Sequence, residues 1–228
     1  MRPKTPFKNR VDAGQQLARA LEQYRQEGPI VLGLPRGGVP VAFEVARALN
    51  APLDVCVVRK LGAPVQPELG IGAVSEGGVI FVDESTRQLA GVSEPELQAL
   101  IQKKRAEVEA RVQRFRRDAP SLELRNHTVI VVDDGIATGG TAKASLEAIR
   151  RRGATKIILA VPVASAESLR ELAPFADAVV CLHAKDPFYA VGLWYDDFSA
   201  TTDEEVVVLL DEARRTGAPP PATPVTPA

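Results

Sequence analysis

The stretch from Val129 to Thr141, Val-Ile-Val-Val-Asp-Asp-Gly-Ile-Ala-Thr-Gly-Gly-Thr, limits the folds open to this chain more than any other segment. Four apolar, β-branched residues predict a strand buried on both faces. Two adjacent carboxylates, Asp133 and Asp134, follow it, then a loop of small residues with two glycines and two hydroxyls. A helical pattern then runs from Ala142 to Arg151. A strand that passes through a tight loop into a helix belongs to the class in which parallel strands are covered by helices on both faces. The same arrangement aims backbone N–H groups and the positive end of a helix dipole at one point, which suits phosphate. Acids just upstream suit the hydroxyls of an attached sugar or the water shell of a metal ion.

The rest of the chain repeats the strand–helix alternation. Val11, Leu17, Ala18, Leu21 and Tyr24 give helical spacing over 11–25, ended near Gly28-Pro29. Ile30 to Leu34 reads as a strand, followed by Pro35-Arg36-Gly37-Gly38 and a helix from about Val39 to Leu49. Leu53 to Val58 reads as the next strand. Ile71 to Val74 and Val79 to Val82 flank Ser75-Glu76-Gly77-Gly78 as a hairpin. Lys156 to Val161 and Ala178 to Leu182 complete the strands, with helices at about 141–151 and 165–173. Ligands of such sheets bind beyond the carboxyl ends of the strands, where Asp133, Asp134, Arg36 and Arg59 fall.

The segment from Ser93 to Arg117 reads as one long inserted helix. Ser93 and Glu96 suit a capping box with Pro95 in the first turn. Leu97, Leu100, Ile101, Val108, Val112 and Phe115 form a stripe that needs a surface to bury against, in a homodimer or over the site. Arg111, Arg114, Arg116 and Arg117 are either phosphate ligands or, more blandly, a solvated face. Residues 216–228, rich in proline, are expected to be disordered. One domain over 1–215, with the inserted helix at about 93–117, is the expected organisation.

A formal net charge of −1 argues against non-specific nucleic-acid or membrane binding. Met1 begins Arg-Pro-Lys-Thr-Pro without an apolar leader, and no apolar run is long enough to span a bilayer. A soluble, cytoplasmic protein is expected. Cys56 and Cys181 sit in apolar runs as reduced thiols, far from zinc-ligand spacing. His127 and His183 are isolated.

Four apolar residues, two acids, any residue, an apolar residue and a Thr/Gly-rich end resemble the phosphoribosyl pyrophosphate (PRPP) motif of the type I phosphoribosyltransferases. The resemblance covers about residues 30–200 at the level of motifs. It implies a Rossmann-like parallel sheet flanked by helices, with a hairpin or flexible lid and a small C-terminal hood. Asp133 and Asp134 would hold the ribose hydroxyls, and Ala137, Thr138, Gly139, Gly140 and Thr141 would wrap the 5′-phosphate. Pro35, Arg36, Gly37 and Gly38 resemble the family's pyrophosphate loop, which implies a cis peptide between Pro35 and Arg36. Val57 to Pro64 resembles the start of the catalytic loop, so Arg59 and Lys60 would neutralise pyrophosphate, with 62–72 as the mobile lid. In the segment from Asp186 to Phe198, Tyr189 would stack on the base, with Phe188 as the alternative stacker. Asp196 would lie near Mg²⁺ and pyrophosphate, unless the segment is only an aromatic packing cluster.

One departure bears on specificity. Family members that use hypoxanthine and guanine carry an acid where this chain has Ala137, so its loop is more like that of adenine-type enzymes. The implied reaction is Mg²⁺-dependent transfer of the 5-phosphoribosyl group to a nitrogenous base, in nucleotide salvage. The alternative is a non-enzymatic PRPP-sensing regulator, with RNA binding through the arginines of 111–117 as one form of it. About 29 residues before the first strand are too few for an attached DNA-binding domain, and no DNA partner is expected. A PRPP-making pyrophosphokinase would repeat the domain, and no repeat is visible.

Overall fold

A computed structural model describes residues 6–117 and 119–217. Its centre is a five-stranded parallel sheet built from β1 (Ile30–Gly33), β2 (Leu53–Val55), β6 (Thr128–Val132), β7 (Lys156–Ser165) and β8 (Ala178–Lys185). The strand order is β2-β1-β6-β7-β8. β-Branched residues dominate the middle strands because both faces are buried. Val31, Ile130 and Ile158 face one way, with α1 (Arg10–Ala20), α2 (Gly38–Leu49), α4 (Glu94–Arg116) and α7 (Asp203–Thr216). Leu32, Val131 and Leu159 face the other, with α5 (Gly140–Arg151) and α6 (Ala166–Leu172). The expected Rossmann-like architecture is therefore present.

A second, antiparallel sheet joins β3 (Val58–Gly62), β4 (Gly70–Ser75) and β5 (Ile80–Val82), with α3 (Glu84–Leu89) after it. Two expectations change here. Leu53 to Val58 is not one strand, because the backbone turns out of the main sheet at Cys56. There the Val55 carbonyl accepts from Arg116, the Cys56 amide donates to Gly33, and the Val57 carbonyl accepts from Glu76. The expected lid over 62–72 is also shorter. Gly62 already pairs within β3, and Gly70, Ile71 and Gly72 lie in β4, which leaves 63–69 as the connection, with Val65 at its exposed tip.

The long helix α4 begins with the expected capping box, Ser93 with Glu96. Its stripe is satisfied within the chain, since Leu97, Ile101, Val108 and Phe115 are buried in the same core as Val206, Val207 and Leu210 of α7. Burying that stripe requires no second subunit. The arginine run is not a uniform solvated face either. Arg116 is buried, its Nε 2.7 Å from Asp54 Oδ1, and it also pairs with Glu76. Arg152 meets the same Glu76 at 2.7 Å.

Helix α7 has no counterpart in the sequence reading, although its start is plain: Thr202 caps Glu205, and Asp203, Glu204 and Glu205 fill the first turn. Thr216 ends it and Gly217 follows as its cap, so these two residues are not part of a disordered tail, and the rest of that expectation, 218–228, lies outside the described residues. No helix among the described residues is long and apolar enough to cross a membrane.

Candidate active site

Strands β1 and β6 are neighbours, and each runs into a loop and a helix at its carboxyl end. The Leu34 amide donates to Val132 O (2.9 Å), which carries the first loop onto the second. The peptide between Pro35 and Arg36 is cis, as the resemblance implied. A Cβ at Gly37 would overlap the Asp134 carboxylate, and one at Gly38 would lie 2.6 Å from Val132 O and 3.1 Å from Asp133 Oδ1. Only glycine permits that approach. The Gly-Gly pair therefore brings the first loop against the acids.

Asp133 and Asp134 adjoin each other, with Asp133 Oδ1 accepting from the Asp134 amide at 2.9 Å. Burial, then the neighbouring Asp134 charge, raises the Asp133 carboxyl well above the usual carboxylate range. Burial also raises Asp134, against the opposing pull of Arg10. Arg10 Nε lies 2.8 Å from Asp134 Oδ2, and both side chains are only 12–13% exposed. The same guanidinium donates to Ser199 O (2.7 Å) and lies 4.0 Å over the Phe198 ring. Tyr195 donates its hydroxyl to Asp134 O at 2.5 Å.

Arg10 and the Tyr195 hydroxyl are the residues that sequence reasoning missed. Arg10 is 124 positions from its partner and carries no local pattern. A short bridge between Phe7 and Tyr195 holds the segment before α1 against the segment after β8, beside the acids.

The expected loop from Ala137 to Thr141 is shorter in the structure, because Gly140 and Thr141 already form the first turn of α5. Its base is tied to β7 by Ile136, whose amide donates to Val163 O while its carbonyl accepts from Ser165 (both 3.0 Å). Ser168 Oγ donates to Ala137 O at 2.6 Å. Gly139 takes a left-handed φ of 72°, which turns the chain into α5 at Gly140. Val191, in the segment 186–198 that forms the small hood after β8, rests where a side chain on Gly135 would stand.

Arg59 and Lys60 are not brought together. They are consecutive in β3, so their side chains leave opposite faces of the strand. Lys60 lies beside Gly140 and, with Thr138, Gly139 and Lys143, lines a cleft of about 660 Å³. Arg59 turns to α4, 3.6 Å from Glu107, where burial and the nearby Arg111 lower its pKa. One diphosphate group held by both side chains does not follow from this arrangement.

In the hood, Phe188 stacks on Trp194 (centroids 6.1 Å apart) and Trp194 on His183 (5.9 Å). Phe7 meets His183 and Tyr195 at 5.5 and 5.3 Å, and Tyr195 meets Phe198 at 5.0 Å. Phe188 thus belongs to a continuous ring cluster, whereas Tyr189 is 80% exposed and free to meet a ligand. Asp196 is exposed, and its amide donates to Phe7 O at 2.9 Å. Among the described residues no three His, Cys, Asp or Glu side chains are grouped to hold a metal ion. The acid pair fits a hydrated Mg²⁺ that arrives on phosphate oxygens, because that ion needs only one or two carboxylates.

The model of the phosphoribosyl transferase domain matches residues 8–192. This chain belongs to the phosphoribosyl transferase family. Two Mycobacterium tuberculosis proteins, named "Putative phosphoribosyl transferase" MT0597 (strain CDC 1551 / Oshkosh) and Rv0571c (strain ATCC 25618 / H37Rv), are each 47% identical over 197 residues, or 86% of this chain. The chain spans 44% of the length of those relatives. The crystal structure of TT1426 from Thermus thermophilus is 42% identical, with a TM-score of 0.84 over 90% of this chain and 98% of that one. The likeness to that structure thus extends across most of this chain.

Proposed function

We propose that the chain transfers the 5-phosphoribosyl group of PRPP to a nitrogenous base in the cytoplasm, with release of pyrophosphate. The observation that carries the reading is the meeting of three features at the ends of β1 and β6: the Gly37-Gly38 loop, the acid pair and the loop into α5. In the reaction the bond from ribose C1 to the diphosphate oxygen breaks and one from C1 to the base nitrogen forms. The sugar carries oxocarbenium character between the two, so the protein acts mainly by positioning and by stabilising separated charge. Asp133 and Asp134 accept hydrogen bonds from the ribose hydroxyls. The amides of 137–141 and the hydroxyls of Thr138 and Thr141 hold the 5′-phosphate, with Lys60 beside them.

Arg36 and the amides of Gly37 and Gly38 take the diphosphate. Mg²⁺, when bound, neutralises charge on the diphosphate oxygens, with Asp133, Asp134 and Asp196 as candidates to orient its water shell. Tyr189 offers a face to the base. Ala137 supplies no acid for a 6-oxopurine, so hypoxanthine and guanine are expected to be poor acceptors. A panel of nucleobases with PRPP and Mg²⁺, followed by pyrophosphate release, tests the reading. Turnover with adenine or a less common base is expected. PRPP binding without turnover across a broad panel would favour a PRPP sensor instead.

A further inference from the structure

The first turn of α7 faces two arginines from distant parts of the chain. Arg36 Nη1, in the loop after β1, lies 3.6 Å from Asp203 Oδ1. Arg114, in the last turn of α4, places Nε 2.9 Å from Asp203 Oδ2 and Nη2 2.7 Å from Glu204 Oε1. The Glu204 backbone amide, then Arg114 and more weakly Arg36, holds the Glu204 carboxyl below its usual range. Two guanidinium groups therefore meet two carboxylates.

The grip on Arg36 is loose. Its side chain is 45% exposed, and Asp203 Oδ1 is buried with no hydrogen-bond partner among the described residues. The base of Arg114, by contrast, is fixed, because the next two residues, Phe115 and Arg116, are buried and Arg116 is pinned by Asp54. Arg117 is turned away toward Asp211. Guanidinium forks bind carboxylates and phosphates in the same planar manner. A diphosphate group offers the same kind of anionic oxygen acceptors as the two carboxylates, with more negative charge.

We propose that Arg114 joins Arg36 in a two-arginine site for the diphosphate group, and that Asp203 is the place-holder which the diphosphate displaces. The inference rests on reading 35–38 as the diphosphate loop. It gives the long helix α4 a part in binding through Arg114, distinct from its part in the core. It also predicts effects of opposite sign, which a merely structural role for either residue does not produce.

The test is calorimetric titration of the full chain with inorganic pyrophosphate and Mg²⁺. Arg114→Gln should weaken binding about fivefold, the size of one partly exposed ion pair. Asp203→Asn should tighten it by a similar factor, with Asp203→Ser as the substitute if the Asn variant does not fold. Arg117→Gln, which faces Asp211, should leave binding unchanged. Any other pattern in folded variants, or no pyrophosphate binding by the unaltered chain, overturns the proposal. Effects of the stated signs in a protein that ignores PRPP would keep the two-arginine site and remove the phosphoribosyl reading. PRPP binding with no response to either substitution would do the reverse.

Discussion

The centre of the molecule and its outer layer are built by different rules. At the centre, β1 and β6 each pass into a loop and a helix, and the groups that matter lie within a few residues of one another in sequence. In the outer layer, single charged side chains reach across the fold: Arg10 to Asp134, Arg116 to Asp54, Arg114 to Asp203. The centre makes a site from backbone geometry, and the outer layer adjusts it with charge. If that division is right, substitutions in the centre abolish ligand binding and spare the fold, while those in the outer layer act first on stability or on the grading of affinity.

The largest effect is expected at the acid pair. Asp133→Asn with Asp134→Asn should leave a folded protein and weaken PRPP binding about a hundredfold to ten-thousandfold, since two hydrogen bonds to ionised acceptors, together about 3–6 kcal/mol, are lost. Calorimetry with Mg²⁺ and PRPP measures it. Unchanged affinity would break the comparison at its centre.

Next in size is Arg116, which should affect stability before it affects ligand. Replacing it with Ala strands Asp54 as a buried carboxylate without its cation and leaves Glu76 with Arg152 alone. Breaking such a pair costs about 3–5 kcal/mol. Denaturant unfolding should show a loss of that order. A fully stable variant would mean that the cluster contributes little to holding α4 against the sheet.

Arg10 joins the two regions, and its removal should show both kinds of effect. Arg10→Gln leaves the buried Asp134 carboxylate without its cation, at a cost of about 1–3 kcal/mol. Burial already raises Asp134, and losing Arg10 raises it further. A carboxyl whose folded pKa lies above its unfolded one binds more protons when folded, so its penalty grows as pH rises through that window. The stability deficit of the variant should therefore be largest near neutral pH and shrink as pH falls toward the unfolded Asp value. Thermal melts at several pH values decide this, and a deficit independent of pH would show that Arg10 acts through packing on Phe198 alone.

The same division explains what could be read from the chain. The five parallel strands, both loops and the α4 capping box follow from local spacing, and they stand close to their expected positions. The break at Cys56 was hidden because an apolar run looks the same whether or not it changes sheet. It is fixed by Arg116, Gly33 and Glu76, none of them local. Arg10 was hidden for the same reason. The separation of Arg59 from Lys60 was legible, since strand alternation alone puts neighbours on opposite faces. Helix α7 was legible too, in its Thr-Asp-Glu-Glu start and its Val206, Val207, Leu210 stripe.

The smallest effect concerns two neighbouring aromatics of the hood, Phe188 and Tyr189, which the sequence left as alternatives. Phe188 is packed against Trp194 inside the ring cluster, and Tyr189 is exposed. An aromatic stacking contact contributes about 0.5–1.5 kcal/mol beyond the area it buries. Tyr189→Ala should therefore raise the KM for the acceptor base by roughly fivefold and leave the melting temperature alone. Phe188→Ala should do the opposite, lowering the melting temperature with a smaller change in KM, because its ring face is already covered. Steady-state kinetics beside thermal melts of the two variants separate the roles. If Phe188→Ala carries the larger KM effect at unchanged stability, the base is stacked inside the hood rather than on its outer face, and the boundary between packing and binding has to be moved by one residue.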